Sequence, residues 1–471
     1  MSAPGGPDPI VAVLDQGLHA LAGLGGNLVA EANRIGSILW SPPRVVIVGR
    51  LKAGKSTLVN ALIGAPVAET AALEATRVVA VYQDGAPSRA EVVDLDGHRH
   101  PVAVGRGQVS DLPVPAEQIA YLHRWLPSAA IRDLTLIDTP GLATLTTQNE
   151  AATRRVLIDG FEQTRTASVD ADAAVFLFDS TPRVDEVSFL KQLGFTPLNT
   201  LGVLSRADGF GEGALGRRDP LAHAADHAAV LARQLADTVT TVIPISGLMA
   251  QTSRTGSLTE TDAQSIAALT RFGPLELIEL LEADHPAPLT PPVRDRLLDL
   301  VGEYGLSNGR TLAAQGAAPL NHWLTKRSGI AALSQVLHNS LAQFAGLQRA
   351  ARILGQFDQL AYTHPARDHI RAIAHQARTH PALRPVALFG DLHRMLEADP
   401  TSPLVGELRR LLQGTTPAAR LGMPPNASAE QVRAVARSKL ADAHAQALST
   451  MTSAEDAALI TLIATYTDLA Q

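Results

Sequence analysis

The middle of the chain, from residue 44 to residue 285, alternates short apolar runs with segments whose apolar residues recur at helical spacing. A short continuous apolar run is typical of a strand that is buried on both faces. Strands and helices in alternation predict a mostly parallel sheet that is covered by helices. The apolar runs are residues 45–48, 134–137, 173–178, 201–204 and 242–245, and the helical patterns include residues 58–62, 156–161 and 222–235.

A second group of strand signals lies inside this region. Residues 78–83, 90–95 and 102–104 have the composition of short strands, and Asp96-Gly97 stands between the last two. An Asp-Gly pair between two strands is a strong turn signal. We therefore expect a hairpin insertion into the sheet.

Both flanks of this region carry helical patterns. In the first flank, a capping Asp8 precedes Pro9 at a helix start, and Pro42-Pro43 ends the segment. Beyond residue 284 the strand signals stop, and apolar positions recur seven residues apart, which is close to a heptad seam. Ser428 with Gln431 predicts a capping box at the start of a late helix. The seam includes Ile330, Leu337, Phe344, Ala351, Leu333, Leu347 and Leu354.

The patterns together predict three regions. Residues 1–43 are N-terminal helices that join a helical bundle, residues 44–285 form an α/β domain, and residues 286–471 supply the rest of the bundle as a neck or stalk. The fold class expected is therefore α/β with a mostly parallel sheet, plus an all-α bundle made from both ends of the chain.

Composition narrows the class of protein. With 46% hydrophobic and 18% charged residues, the chain is expected to be soluble and globular. The net charge of -6 argues against a broad nucleic-acid surface, and the absence of cysteine excludes disulfides, thiolate catalysis and cysteine-zinc sites. The first residues lack the pattern of a secretory signal, and no stretch has the roughly 18 apolar residues needed to span a bilayer. Membrane contact is therefore expected to be peripheral.

The segment after the first apolar run carries the strongest motif. Residues 49–56 read GRLKAGKS and match G-x-x-x-x-G-K-[ST], directly after a strand and before a helix. The backbone N–H groups of such a loop point at phosphate oxygens, and the helix N-terminus adds its positive end. Lys55 is expected to bridge the β- and γ-phosphates and Ser56 to hold Mg²⁺. The expected phosphate-binding residues are Gly49, Ala53, Gly54, Lys55, Ser56 and Thr57.

Two further segments supply expected magnesium and γ-phosphate contacts. Asp138 begins the sequence Asp-Thr-Pro-Gly after the second buried strand, where a carboxylate can reach the metal. The N–H of Gly141 is expected to sense the γ-phosphate, as a switch loop does. Thr76 is expected to complete the magnesium coordination, and Thr70 is the alternative.

A third segment predicts the base. Ser205-Arg206-Ala207-Asp208 follows the strand at residues 201–204. The Asp208 carboxylate can accept both N1–H and the exocyclic N–H of guanine, a pair that adenine does not offer. Arg206 is expected to stack over the base. Ser246 and Gly247 end the last strand, where a backbone N–H is expected to meet the guanine O6.

The residue that usually orients the attacking water is missing. A Gln commonly follows the switch glycine, but here Leu142 follows Gly141. Lys52, inside the phosphate loop, is the candidate that offsets the charge of the transition state. The alternative is that Lys52 is a solvated loop lysine. The expected catalytic residues are thus Lys52, Lys55, Thr76 and Gly141.

These motifs resemble those of bacterial dynamin-like GTPases, closest to the isoniazid-inducible type. The resemblance extends weakly past the motifs, through Arg327-Ser328-Gly329 and residues 418–422, and covers most of the chain. Two departures are Leu51, where dynamins often carry a polar residue, and the lack of a transmembrane paddle. The segments that carry the resemblance are residues 51–62, 74–77, 136–141, 205–208 and 244–248.

The resemblance implies an activity and a location. It implies a dynamin-type GTPase head on a helical stalk, with GTP hydrolysed to GDP and phosphate and with Mg²⁺ as cofactor. It implies a cytoplasmic protein that associates peripherally with the cytoplasmic membrane and remodels, fuses or maintains it. The implied partners are a longer dynamin-like paralogue, a second copy through paired heads, and lipid, with no nucleic acid. The resemblance also implies that two heads pair across the nucleotide. A cation of the P-loop then takes the place of an arginine finger, which is the role assigned here to Lys52.

Two other functions remain open on the sequence. In the first, GTP acts only as a switch, and the helices bind a protein partner without membrane remodelling. The second is an RNA- or ribosome-associated GTPase, against which the acidic balance and the lack of an RNA-binding module argue.

Overall fold

The computed structural model describes residues 8–68, 78–105, 108–109, 112–140, 171–285 and 287–471. The chain divides into two compact units. Residues 42–342 form one unit, which we call the α/β unit. Residues 1–41 and 343–471 form the other, which we call the helical unit.

The strands of the α/β unit are β1 (Arg44–Gly49), β2 (Ala80–Asp84), β3 (Arg89–Asp94), β4 (Arg99–Val102), β5 (Val104–Gly105), β6 (Gln108–Val109), β7 (Ile119–Leu126), β8 (Thr135–Asp138), β9 (Ala173–Phe178), β10 (Thr200–Leu204) and β11 (Val242–Pro244). Nine of these described strands form one sheet in the order β11, β10, β9, β1, β8, β2, β7, β3, β4. The first five are parallel, as expected. Strand β2 runs antiparallel to β8 and parallel to β7.

Strand β1 is the centre of this sheet. It pairs in parallel with β8 on one side and with β9 on the other. Its residues 45–48 are all buried, which explains why the sequence shows a continuous apolar run rather than an alternating one. The register sets Ile47 opposite Asp138 and Gly49 opposite Leu177. The carboxyl ends of the three strands therefore meet at one edge.

The expected hairpin is confirmed in part. Strands β3 and β4 are antiparallel neighbours across a turn at Gly97. The first expected strand of the insertion, β2, instead lies between β8 and β7. Strand β7 was missed because its sequence mixes His123 and Arg124 with apolar residues and shows no continuous run. The expected helix at residues 156–161 lies outside the described residues.

The helices of the α/β unit continue well past residue 285. They bury a second core against the helix Gly247–Thr255, including Met249, Leu297 and Leu320. The expected domain limit at residue 285 therefore lies inside this unit. Its described helices are Lys55–Ile63, Val184–Gln192, Pro220–Gln234, Gly247–Thr255, Glu260–Ala267, Pro274–Glu282, Pro291–Asn308, Arg310–Ala313, Ala317–Arg327 and Ile330–Val336, followed by a π-helical turn, Leu337–Leu341.

The helical unit joins both ends of the chain. Arg349 donates to the carbonyl oxygens of Leu39 and Ser41, and Arg34 donates to Gln356 Oε1 at 2.8 Å. The predicted helix starts are confirmed, since Asp8 accepts from Ile10 N and Ser428 forms a capping box with Gln431. Its helices are Pro9–Gly23, Leu28–Trp40, Ala342–Thr363, Arg367–Thr379, Arg384–Ala398, Pro403–Gln413, Pro417–Arg420, Ala429–Gln446 and Ser453–Ala470.

The apolar cluster between Arg384 and Arg394 packs into the core of the helical unit. Val386, Leu388 and Phe389 are buried within the helix Arg384–Ala398. Since they are 4%, 4% and 1% exposed, they cannot present an apolar surface to lipid without unfolding. Among the helices of the described residues, none is long and apolar enough to cross a membrane.

Truncation of Phe389 should destabilise the helical unit. We expect Phe389→Ala to lower its free energy of unfolding by about 3–5 kcal/mol, because the buried ring leaves a cavity. Urea denaturation of the full chain, followed by circular dichroism, measures this. Leu448→Ala is the control, because Leu448 is 90% exposed and its loss should change stability by less than about 0.5 kcal/mol. Equal midpoints for the two variants would show that Phe389 is not core.

Candidate nucleotide-binding site

A cavity of about 740 Å³ opens at the edge where the carboxyl ends of the parallel strands meet. In an open α/β sheet this edge is the usual ligand site. The expected residues that line it are Lys52, Ala53, Gly54, Lys55, Ser56, Thr57, Asp138, Ser205, Arg206, Asp208 and Gly247.

The phosphate loop follows β1 directly, and its first residue must be glycine. A Cβ on Gly49 would lie 2.3 Å from the Leu177 carbonyl oxygen of the neighbouring strand. Gly49 thus permits the close approach of β1 and β9 rather than lining the cavity. The loop ends at Gly54, where the helix Lys55–Ile63 begins and points its N-terminus at the cavity.

The Lys55 side chain is held by carbonyl oxygens of the phosphate loop. Its Nζ donates to the carbonyl oxygens of Gly49 and Arg50, both at 3.0 Å. Burial lowers the pKa of Lys55 to about 8, and the nearby Asp138 carboxylate opposes that shift. A buried ammonium favours the arrival of an anion such as a phosphate.

Asp138 ends β8 beside the start of the P-loop helix. Ser56 Oγ donates to Asp138 Oδ2 at 3.2 Å, and Thr139 Oγ1 donates to the Ile47 carbonyl oxygen. Burial raises the pKa of Asp138 to about 6, although Lys55 and Ser56 both act in the opposite direction. Its other oxygen, Oδ1, is buried and has no hydrogen-bond partner among the described residues.

This arrangement fits a divalent cation. A hydroxyl and a carboxylate with a free buried oxygen are the hard oxygen donors that Mg²⁺ takes in nucleotide sites. A cation would also relieve the burial of the Asp138 charge, which is otherwise costly.

The segment expected to contact guanine, residues 205–208, follows β10. Ser205 is buried and donates its N–H to Phe178 O at 2.7 Å, which ties the segment to the end of β9. Asp208 lies in a 3-10 turn, Ala207–Gly209, and lines the cavity. The Ala207 N–H donates to Ile245 O at 3.1 Å and so joins this segment to the loop after β11.

Ser246 and Gly247 lie at different depths. Ser246 is fully buried, caps the helix Gly247–Thr255, and donates its N–H to the Ser328 carbonyl oxygen at 3.0 Å. Its N–H therefore points away from the cavity. Gly247 lines the cavity as the first helical residue, a position whose N–H has no partner within its own helix.

Two contacts of the loop were not anticipated from the sequence. Arg206 Nη2 donates to the Lys52 carbonyl oxygen at 2.8 Å, and both residues have positive φ, 55° and 64°. Arg50 Nε lies 3.0 Å from Glu186 Oε1, an ion pair between the loop and the helix Val184–Gln192. A positive φ in non-glycine residues is uncommon and is concentrated at functional sites. The Lys52 side chain is exposed.

Three predicted residues lie outside the described residues: Thr76, Gly141 and the alternative Thr70. Leu142 lies outside them as well.

Comparisons with known proteins agree with this geometry. Residues 44–200 match the family of 50S ribosome-binding GTPases. The isoniazid-induced protein IniC of Mycobacterium tuberculosis is 33% identical over 444 residues, which are 87% of this chain and 86% of that protein. The isoniazid-induced protein IniA of the same organism is 30% identical over 171 residues, 34% of this chain and 25% of that protein.

A solved chain of an oligomerised bacterial dynamin pair is also similar, at 11% identity and a TM-score of 0.33, covering 100% of this chain and 88% of its own. The level and extent of the similarity to IniC, together with the GTPase match over residues 44–200, decide the assignment. The chain therefore belongs to the family of isoniazid-induced protein IniC and is a GTPase that hydrolyses GTP to GDP and phosphate.

Proposed function

We propose that this GTPase couples hydrolysis to the remodelling, fusion or maintenance of the cytoplasmic membrane, in partnership with a dynamin-like paralogue. The observation that carries the proposal is a cavity lined by the P-loop, Asp138 and Asp208, in a chain whose second unit exposes large apolar side chains. In this reading residues 44–285 are the GTPase head, and residues 1–43 and 286–471 are the neck or stalk. The protein would then be cytoplasmic and peripherally attached to the membrane.

The phosphates would lie along the P-loop. Backbone N–H groups between Gly49 and Thr57 and the helix N-terminus hold the phosphate oxygens, and Lys55 exchanges its two carbonyl contacts for the β- and γ-phosphates. Ser56 and Asp138 would hold Mg²⁺, with Thr76 as a third ligand, and Gly141 would contact the γ-phosphate. The cation supplies charge neutralisation at the β- and γ-phosphates.

Lys52 is our candidate for the catalytic cation. Its strained backbone is held by the Arg206 contact to its carbonyl, while its side chain stays exposed at the cavity. In the transition state, negative charge develops on the β-phosphate oxygens of the departing GDP. An ammonium placed beside them lowers the barrier. The same Arg206 would lie over the base, so that base binding and the position of Lys52 are linked through one side chain.

The guanine base would be read by Asp208. We expect Asp208→Asn to weaken GTP binding roughly 10- to 100-fold, since a charge-assisted hydrogen-bond pair is lost, and to admit xanthosine triphosphate. Fluorescence titration with GTP, XTP and ATP measures this. Asp226→Asn, an exposed aspartate paired with Arg218, is the control. Equal GTP and ATP affinity in the unmodified chain would contradict the assignment.

Loss of the Lys52 ammonium should slow the chemical step. We expect Lys52→Ala to lower kcat for GTP on the order of 100-fold with little change in GDP affinity. Single-turnover hydrolysis and GDP titration separate the two quantities. Lys326→Ala, a lysine that does not line the cavity, serves for comparison. Unchanged turnover at saturating GTP would return Lys52 to a solvated loop lysine.

Membrane attachment would use the exposed apolar side chains of the helical unit. Leu448 and Met451 are 90% and 89% exposed in the turn between its last two helices. We expect Leu448→Asp with Met451→Asp to reduce co-sedimentation with anionic liposomes several-fold at an unchanged melting temperature. The measurement is made with a GTP analogue and with GDP, and Val184→Asp, an exposed apolar residue of the α/β unit, is the control.

Failure of the unmodified chain to bind liposomes in either nucleotide state would favour the switch function, in which the helices bind a protein partner. Equal liposome binding by the double variant and the unmodified chain would place the lipid contact elsewhere.

A further inference from the structure

The guanine side of the cavity is backed by helices that follow the expected end of the GTPase head. The helix Pro291–Asn308 is broken at Gly302, whose φ of 64° and ψ of 179° are accessible in practice to glycine alone. A Cβ on Gly302 would lie 3.5 Å from Asp208 Oδ2 and 3.5 Å from Leu248 Cδ2. The break therefore lies directly behind the carboxylate proposed to read the base.

The position of the break is fixed by a buried contact. A non-helical residue interrupts the backbone hydrogen-bond ladder, and the Leu300 carbonyl oxygen just before it accepts a hydrogen bond from Thr252 Oγ1. Thr252 is 3% exposed and belongs to the helix Gly247–Thr255, whose first residues line the cavity. The Thr252 hydroxyl thus ties the break to the helix that follows β11.

A second contact backs the same loop. The Ser328 carbonyl oxygen accepts the Ser246 N–H, and Ser328 is fully buried. Gly329 follows with a φ of 82°, and a Cβ there would lie 2.5 Å from the Pro244 carbonyl oxygen. Only glycine allows the chain to pass this close to the end of β11. Residues 302 and 328–329, which are not among the residues lining the cavity, therefore contact the segments after β10 and β11 that do line it.

We propose that Gly302, together with the Thr252–Leu300 and Ser246–Ser328 contacts, positions Asp208 and so sets the specificity of this GTPase for guanine. The inference rests on the proposed role of Asp208. Gly302 does not touch the nucleotide and acts through the carboxylate beside it. A side chain at residue 302 is strained by the positive φ, and its relief shifts the backbone that contacts Asp208. The hydrogen-bond pair to guanine is then weakened while the phosphate contacts at Lys55 remain.

The test compares GDP with inosine diphosphate. Inosine lacks the exocyclic amino group from which Asp208 would accept a hydrogen bond. We expect the unmodified chain to prefer GDP about tenfold or more, and Asp208→Ala to abolish the preference. Gly302→Val should reduce the preference at least threefold, toward that of Asp208→Ala. Gly256→Val is the matched control, because Gly256 has a φ of 66° but no atom within 4 Å of an added Cβ. It should lower the melting temperature and keep the preference.

A milder pair of variants covers a failure of Gly302→Val to fold. Thr252→Val removes the hydroxyl that fixes the break and keeps the side-chain volume, so it should lower the GDP preference in the same direction. Thr255→Val should not, because the Thr255 hydroxyl bonds Gln251 O in its own helix and Ser257 Oγ just beyond it, and neither residue lines the cavity. A preference that stays at the unmodified value in each folded variant at residues 302 and 252, while Asp208→Ala abolishes it, would overturn the inference alone. No preference in the unmodified chain would overturn the role of Asp208, and the inference with it.

Discussion

The parallel register of β1 with β8 and β9 is the constraint on which the site depends. It brings Gly49 and Asp138 to one edge of the sheet, and the tight approach of β1 to β9 leaves no room for a side chain at residue 49. The P-loop must then turn at once, and its helix points at the cavity. The same geometry buries Lys55 and Asp138 close together, so that each partly offsets the cost of burying the other's charge.

Much of the α/β unit could be predicted from the chain because its signals are local. A strand buried on both faces shows as a run of apolar residues, as 173–178 does, and the P-loop is eight consecutive residues. Strand β7 could not be predicted, because His123 and Arg124 interrupt its apolar pattern. The His123 ring stacks on the Trp125 ring with 3.7 Å between the ring centroids, and Arg124 is only 5% exposed within the sheet. Neither the stacking nor the burial has a signature in the sequence.

The contacts between distant segments could not be predicted. Arg206 and Lys52 are 154 residues apart, and Arg50 and Glu186 are 136 apart, so no spacing rule connects them. The same holds for residues 380–395, where an apolar cluster flanked by Pro and Arg suits either a surface tip or a buried helix. Only the packing of the helix Arg384–Ala398 decides that Phe389 is core. Sequence patterns identify elements, while partners are chosen by tertiary packing.

The two halves of the cavity are therefore built differently. The phosphate half comes from one continuous segment and the strand beside it, so its geometry is fixed once β1 pairs with β8. The base half is assembled from loops after β10 and β11, joined by the Ala207–Ile245 bond and supported by Gly302 and Ser328. A shift of the helices that carry Gly302 and Ser328 would therefore reach the base half directly. Because a coupling between two sites is reciprocal, a helix position that alters guanine affinity would in turn be altered by guanine binding.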